Sequence, residues 1–267
     1  MITMLILHSL VYLGVGSFAG FMAGLFGVGG GLIVVPGLIF IFQQLQLFPQ
    51  HILMYVAIGS SLATMIITSQ AAIRAHYKLG TILWWVFNKL WPGLIIGTII
   101  GAIAASQIPT NDLKIFFALF LLFVAAKMFF DKEVERPEKF PPNWMTFLIS
   151  FLVGVNSGLL GIGGGILIVP FSAYCGIPTR KIAAISNLSA LSIAITGTVI
   201  FMITGFNETC NIPLTTGYIY WPAVFLVGIT SSIMAPIGTK LNYSLPVKQL
   251  KYSFMILLVI IGLKMLF

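Results

Sequence analysis

The feature that most restricts this chain is a series of apolar runs, most of them much longer than a strand. They fall at residues 4–26, 32–47, 52–73, 82–106 and 112–130, then at 144–160, 166–177, 181–204, 217–240 and 247–267. Several reach the roughly 20 residues that a helix needs to cross the hydrocarbon of a bilayer. Backbone in lipid must satisfy its own N–H and C=O groups, which leaves helices or closed barrels. None of the runs alternates with period 2 as a barrel strand does, so helices remain. Charge agrees: 14 basic and 6 acidic side chains serve 267 residues, far below the roughly 25% of a soluble domain. That excludes an ordinary water-soluble enzyme and a disordered chain. The fold class is all-α, a polytopic membrane protein with residues 1–267 as a single transmembrane domain.

The sequence is written twice. Residues 20–36 read GFMAGLFGVGGGLIVVP and residues 154–170 read GVNSGLLGIGGGILIVP. Nine of the 17 positions are identical at an offset of 134, including every glycine and the proline. A second set of matches runs at an offset of 137, pairing Gly80 with Gly217, Trp84 with Trp221, Gly101 with Gly238 and Pro109 with Pro246. Residues 1–130 and 144–267 are thus two repeats, and the charged stretch 131–143 is a polar linker on the cytoplasmic side. Five segments per half is an odd number. The second half must then enter the membrane from the opposite face, which makes the repeats inverted.

The net charge of +8 tests that orientation. With the N-terminus outside, the inner connections hold Arg74, Lys78, Lys89, Lys127, Lys132, Arg136, Lys139, Arg180, Lys181, Lys240, Lys248 and Lys251. Only Lys114 and Lys264 lie outside, a bias of 12 to 2 that satisfies the positive-inside rule. Four crossings per half would erase the bias. Both termini are therefore expected outside. No basic stripe is left over for nucleic acid. The run 166–177 would make about 18 Å of helix, short of a hydrocarbon core of about 30 Å. The second segment of each half is thus either a short crossing or the return arm of a re-entrant hairpin.

The glycine runs at 27–31 and 161–165 are poor helix and poor strand. Irregular backbone at membrane depth survives only inside protein or beside a water-filled cavity. Each run precedes a new helix, whose first amides are unpaired and carry about half a positive charge. Glycine lets an anion approach such a backbone. Two of these termini converging near the midplane would bind an oxyanion or carboxylate. The candidate site is therefore Gly29, Gly30 and Gly31 with Gly163, Gly164 and Gly165. Helix packing is the competing explanation for these glycines, and the sufficient one for Gly16, Gly20, Gly24, Gly97 and Gly101. A dinucleotide fingerprint or phosphate loop is excluded by the missing spacing and the missing G-K-[ST].

Small polar residues recur in the third segment of each half. Ser60, Ser61, Thr64, Thr68, Ser69 and Gln70 stand in one, and Ser186, Asn187, Ser189, Ser192, Thr196 and Thr198 in the other. Ser60 and Ser61 align with Ser186 and Asn187 and join the site as neutral ligands for an anion that must bind and leave. Asn156 and Ser157 are secondary candidates. The bland alternative is hydrogen bonding that merely holds helices together. No Asp or Glu falls within a span, which argues against a cation as cargo. No metal or cofactor is expected, and Cys175 and Cys210 should lie towards opposite faces without a disulfide.

These residues resemble the TauE/SafE sulfite exporter (TSUP) family. The paired GLFGVGGGLIVVP and GLLGIGGGILIVP, the following SSL and SNL segments, and the G-x-I-x-W and late proline of each half carry the resemblance over nearly the whole chain. It implies a permease of the cytoplasmic membrane for sulfite, sulfonates, thiosulfate or related organic acids. The family's glycine motifs fall on residues 27–31 and 161–165, and its small polar motifs on Ser60, Ser61, Ser186 and Asn187. The expected function is secondary transport of a small anion, with a passive anion channel or a carrier of non-sulfur organic acids as alternatives. The expected partners are that anion and the lipid bilayer. Oligomeric state is not legible. An intramembrane enzyme would need a nucleophile and base at depth, and the sequence supplies none.

Overall fold

A computed structural model describes residues 2–26, 30–78, 80–130, 140–210, 212–244 and 247–266. Among these residues the chain is helical throughout, with one isolated antiparallel bridge between Thr215 and Tyr220. The first half runs α1 (Ile2–Phe26), α2 (Gly31–Gln44), α3 (Leu53–Lys78), α4 (Trp84–Ala105) and α5 (Thr110–Phe130). The second half runs α6 (Asn143–Leu160), α7 (Gly165–Tyr174), α8 (Thr179–Thr204), the single turn α9 (Phe206–Thr209), α10 (Trp221–Ser244) and α11 (Val247–Leu266). The apolar runs and the helices coincide within a few residues. Among the described residues, five helices are long and apolar enough to cross a membrane: α3, α4, α6, α8 and α10. The shortest of the repeated helices, α7, has 10 residues, about 15 Å at 1.5 Å per residue.

Helix pairing follows from glycine. Between helices in lipid there is little hydrophobic drive, so close backbone approach and dispersion hold the bundle. On α4, Gly93, Gly97 and Gly101 stand four apart, and a Cβ on any of them would strike the α6 backbone at Phe147, Phe151 or Val155. In return Gly154 and Gly158 of α6 abut Leu94, Thr98 and Ala102 of α4. The same device joins α1 to α10: Gly16 and Gly20 abut Val227 and Ser231, while Gly238 abuts Phe21. The Ser231 hydroxyl donates to the Gly16 carbonyl at 2.8 Å. These two pairings are one pairing with the halves exchanged, since α6 repeats α1 and α10 repeats α4. The exchange extends further, because α3 packs on α10 as α8 packs on α4. Two contacts pair an element with its own repeat, α3 with α8 and α5 with α11.

The opposite faces point outward and are greasy. Phe225, Ile229, Ile233 and Ile237 form an exposed stripe on α10, and Ile96, Ile100 and Ile103 one on α4. In water such contiguous patches would drive aggregation; against acyl chains they are solvated. The core is α3, whose residues 53–65 are all buried. It carries the first of the two small polar clusters, so the polar groups sit at the centre of the bundle and not on its rim.

Candidate functional site

The start of α2 meets the second glycine turn. Gly31, the first residue of α2, lies so close to the second turn that a Cβ would strike the Gly161 carbonyl oxygen and the Met65 sulfur, with the Ile162 Cα at 3.3 Å. Gly29 lies outside the described residues, with Gly27 and Val28. The second turn is fully described. Gly161 closes α6 in the left-handed region at φ +67°, and its amide returns to the Ser157 carbonyl at 2.9 Å. The Gly164 amide then donates to Ile162 at 2.8 Å, and Gly164 also stands at φ +67°. An L-residue pays about 1–2 kcal/mol for that conformation, so two glycines are required by backbone alone. The Leu167 and Ile168 amides bond the Gly164 carbonyl. Gly165 and Ile166 therefore stand ahead of the first closed turn of α7, where helix amides lack an intrahelical partner.

The α3 helix lies against this turn. Ile58 touches Gly161, the Met65 methyl fills the space a Gly163 Cβ would need, and the Ser61 hydroxyl donates to the Gly161 carbonyl at 3.1 Å. On the other side α8 presents Ala190 to Gly163 and Ile193 to Gly164. Gly31, Ser61, Gly163 and Gly164 thus lie around one place, between α3 and α8. Ser60 faces elsewhere: its oxygen accepts the Tyr220 amide at 2.9 Å. Ser186 is buried and bonded, and the Asn187 side-chain amide donates to Ala183 of its own helix at 2.8 Å.

Beside the second turn is a cavity of about 10 Å³, lined by Phe120, Asn156, Ser157, Ile162, Gly164, Ile166 and Leu167. That is room for about one water, and an oxyanion needs more. The remaining small polar residues divide into two groups. Thr64, Thr68 and Ser192 bond carbonyls of their own helices, as the packing reading requires. Ser69, Ser189 and Thr198, with Ser172 of α7 and the Tyr12 hydroxyl of α1, are buried with no hydrogen-bond partner. A buried polar group left unpaired costs about 1–3 kcal/mol, and a guest or ordered water would recover it.

Two participants lie outside the candidate residues of the sequence. Met65 sets its sulfur against Gly31 and its methyl against Gly163. The apolar run at 217–240 begins ahead of its helix: Tyr218 and Tyr220 fold back into the bundle before α10 starts at Trp221. The clue was present in the glycines Gly205 and Gly217.

Comparisons with known proteins agree with one another. The family model described as "Sulfite exporter TauE/SafE" matches residues 12–265. A "Probable membrane transporter protein" of Haemophilus influenzae is 32% identical over 252 residues, covering 94% of this chain and 95% of that protein. One of Methanocaldococcus jannaschii is 30% identical over 257 residues, covering 94% and 93%. "Probable membrane transporter protein YunE" of Bacillus subtilis is 25% identical over 273 residues, covering 94% and 95%. No solved structure matches the chain. With the doubled glycine turn, the all-helical bundle and a family match over nearly its whole length, this multi-pass membrane protein belongs to the TauE/SafE family of membrane transporters.

Proposed function

We propose that the chain is a secondary transporter of the cytoplasmic membrane that moves a small anion, sulfite or another sulfur-containing anion such as a sulfonate or thiosulfate, by alternating access. The observation that carries the reading is the contact of Gly31 with Gly161 and Ile162, which sets the start of α2 against the turn that leads from α6 into α7. Each helix start contributes up to about 2 kcal/mol towards a negative charge in a partly buried setting. Two such starts would favour an anion over a neutral guest by up to about 4 kcal/mol before the costs of desolvation and association. Gly30, Gly31, Gly163, Gly164 and Gly165, together with Gly29, are the backbone ligands in this reading. Ser60, Ser61, Ser186 and Asn187 orient the anion once the bundle opens.

Two further features support it. The halves are inverted in this reading, with both termini outside and residues 131–143 inside. Repeat-equivalent glycines differ in backbone: Gly30 is right-handed at φ −64° and Gly164 left-handed at φ +67°. Repeats that rock against each other around a fixed site can differ locally in this way. The family name points to sulfite export, and the names of the relatives point to membrane transport.

The test is uptake and counterflow in proteoliposomes with labelled sulfite, thiosulfate, sulfonates and dicarboxylates. A carrier shows stimulation by unlabelled anion on the far side, and a channel shows none. If no anion of the panel moves faster than through protein-free vesicles, the reading fails.

A further inference from the structure

We infer that the connection between α8 and α10, residues 205–220, is a plug that seals one mouth of the pathway and is latched to Ser60. The inference rests on the transporter reading, since a plug has a purpose only over a pathway. The equivalent connection of the first half, between α3 and α4, is residues 79–83. The second half therefore carries about eleven additional residues at this place, and they do not stand away from the bundle. Tyr218 is 1% exposed and Ile219 is 0% exposed, although both lie outside any helix.

Three glycines from three elements clear the slot for Tyr218. A Cβ on Gly59 of α3 would strike the Tyr218 carbonyl, and one on Gly205 at the end of α8 would strike the Tyr218 amide and ring. Gly217 stands at φ +57°, and a Cβ there would strike the Met202 backbone. The Tyr218 ring lies 5.2 Å from Tyr55 and 6.3 Å from Phe201 between ring centres. Tyr220 sits among Phe48 at 5.5 Å, Phe42 at 6.0 Å and Tyr12 at 6.5 Å. The aromatic rings thus stop the space between α3, α8 and the α2 end of the first half. Ser60 lies seven residues into α3, about 10 Å below its start, so the segment reaches two helical turns into the bundle.

The attachment is of a kind that can be released. Away from its two junctions, the segment is tied to the spanning helices by the Tyr218 amide to the Phe201 carbonyl at 3.1 Å and the Tyr220 amide to the Ser60 hydroxyl at 2.9 Å. At the junctions the Gly205 amide bonds Phe201, and α10 reaches back through the Trp221 amide to Leu214, the Trp221 indole to Thr216 and the Val224 amide to Tyr220. Internal bonds include Thr216 to Ile219 at 3.0 Å and Thr209 Oγ1 to the Gly217 carbonyl at 2.9 Å. The segment can move as a unit and keep its own fold. Its tip carries Leu214 in the left-handed region at φ +62° and exposed. The latch adjoins the candidate site in sequence. Ser60 holds the plug while Ser61 holds the second glycine turn, so consecutive residues of α3 report the state of one to the other. An anion that takes the Ser60 hydroxyl competes with Tyr220 for it and loosens the plug.

The experiment uses the full chain in proteoliposomes with Cys210→Ser and Ala63→Cys, keeping Cys175 as an internal control because it is buried. Ala63 is buried against Ile219, three residues deeper in α3 than the latch, so the reporter leaves the Ser60 hydroxyl in place. The probe is a membrane-impermeant maleimide, and mass spectrometry reads each site. Position 63 should label slowly with the plug intact and at least tenfold faster with Tyr218→Ala, or with Gly217→Ala, while Cys175 stays unlabelled. Equal labelling of position 63 with and without the plug residues overturns the inference. So does labelling of Cys175 together with position 63 in both plug variants, because a segment that cannot move without unfolding the bundle is structural. Anion flux in the unaltered protein is measured alongside. Flux with no change at position 63 defeats the plug alone, and absence of flux with a clear change defeats the transporter reading alone.

Discussion

Gly30 and Gly31 are neighbours in one motif, and the structure predicts opposite outcomes for the same substitution. An alanine at Gly31 places its methyl group on the Gly161 carbonyl and the Met65 sulfur. Methionine can turn away, but the carbonyl belongs to the second turn, which is itself pressed on Ile58 of α3. The turns must separate by about 1 Å to reach ordinary contact, and overpacking of this kind costs about 1–3 kcal/mol. At about 2–4 °C per kcal/mol, a mid-range cost lowers the unfolding midpoint by about 4–8 °C. Alanine at Gly30 meets only the Val34 side chain, at 3.7 Å, and Gly30 already has helical φ of −64°. There the change restricts the unfolded chain and should be neutral or stabilising by up to about 1 kcal/mol. Tryptophan fluorescence during a thermal ramp of the purified protein in detergent measures both. A Gly31→Ala variant that melts with or above Gly30→Ala would show that the turns do not touch, and the site would lose its geometry.

The glycine stripes permit a second paired comparison. Gly97→Ala should lower the midpoint by several degrees, because its methyl strikes the α6 backbone, whereas Gly14→Ala, with open space around it, should leave it unchanged. Ser61→Ala removes the bond to the Gly161 carbonyl and should cost about 1 kcal/mol, read in the same ramp; no loss would mean the hydroxyl does not hold the turn. Reporter fusions at Glu138 and Thr209 should signal inside and outside respectively, and identical signals would reject the inverted arrangement.

Much of the architecture was legible because lipid imposes a simple code. Apolar runs mark helices, and the observed ends of α3, α4, α6 and α8 lie within a few residues of the runs. The shortness of α7 and the break before it followed from Gly161, Gly163, Gly164 and Gly165. The exchange of partners between halves was not legible. Gly97 announces a close neighbour but does not say that the neighbour is α6, since both α4 and α6 carry small residues at the same spacing. Hydroxyls posed a similar difficulty. Thr64 bonds its own helix while Ser61 reaches across to Gly161, and only the direction each faces separates them. The plug was hidden for a different reason. Tyr218, Ile219 and Tyr220 are as apolar as the helix that follows, so hydropathy merges them with α10, although Gly217 at positive φ reverses the chain before Trp221.

The most direct test of the central claim, that the two glycine turns jointly hold the transported anion, is counterflow of labelled sulfite or the best anion of the panel. It should be run in proteoliposomes holding equal amounts of inserted unaltered protein, Gly30→Leu and Gly164→Leu. The account predicts trans-stimulated exchange by the unaltered protein and at least a tenfold loss in each variant. Exchange at the unaltered rate in both variants would contradict it.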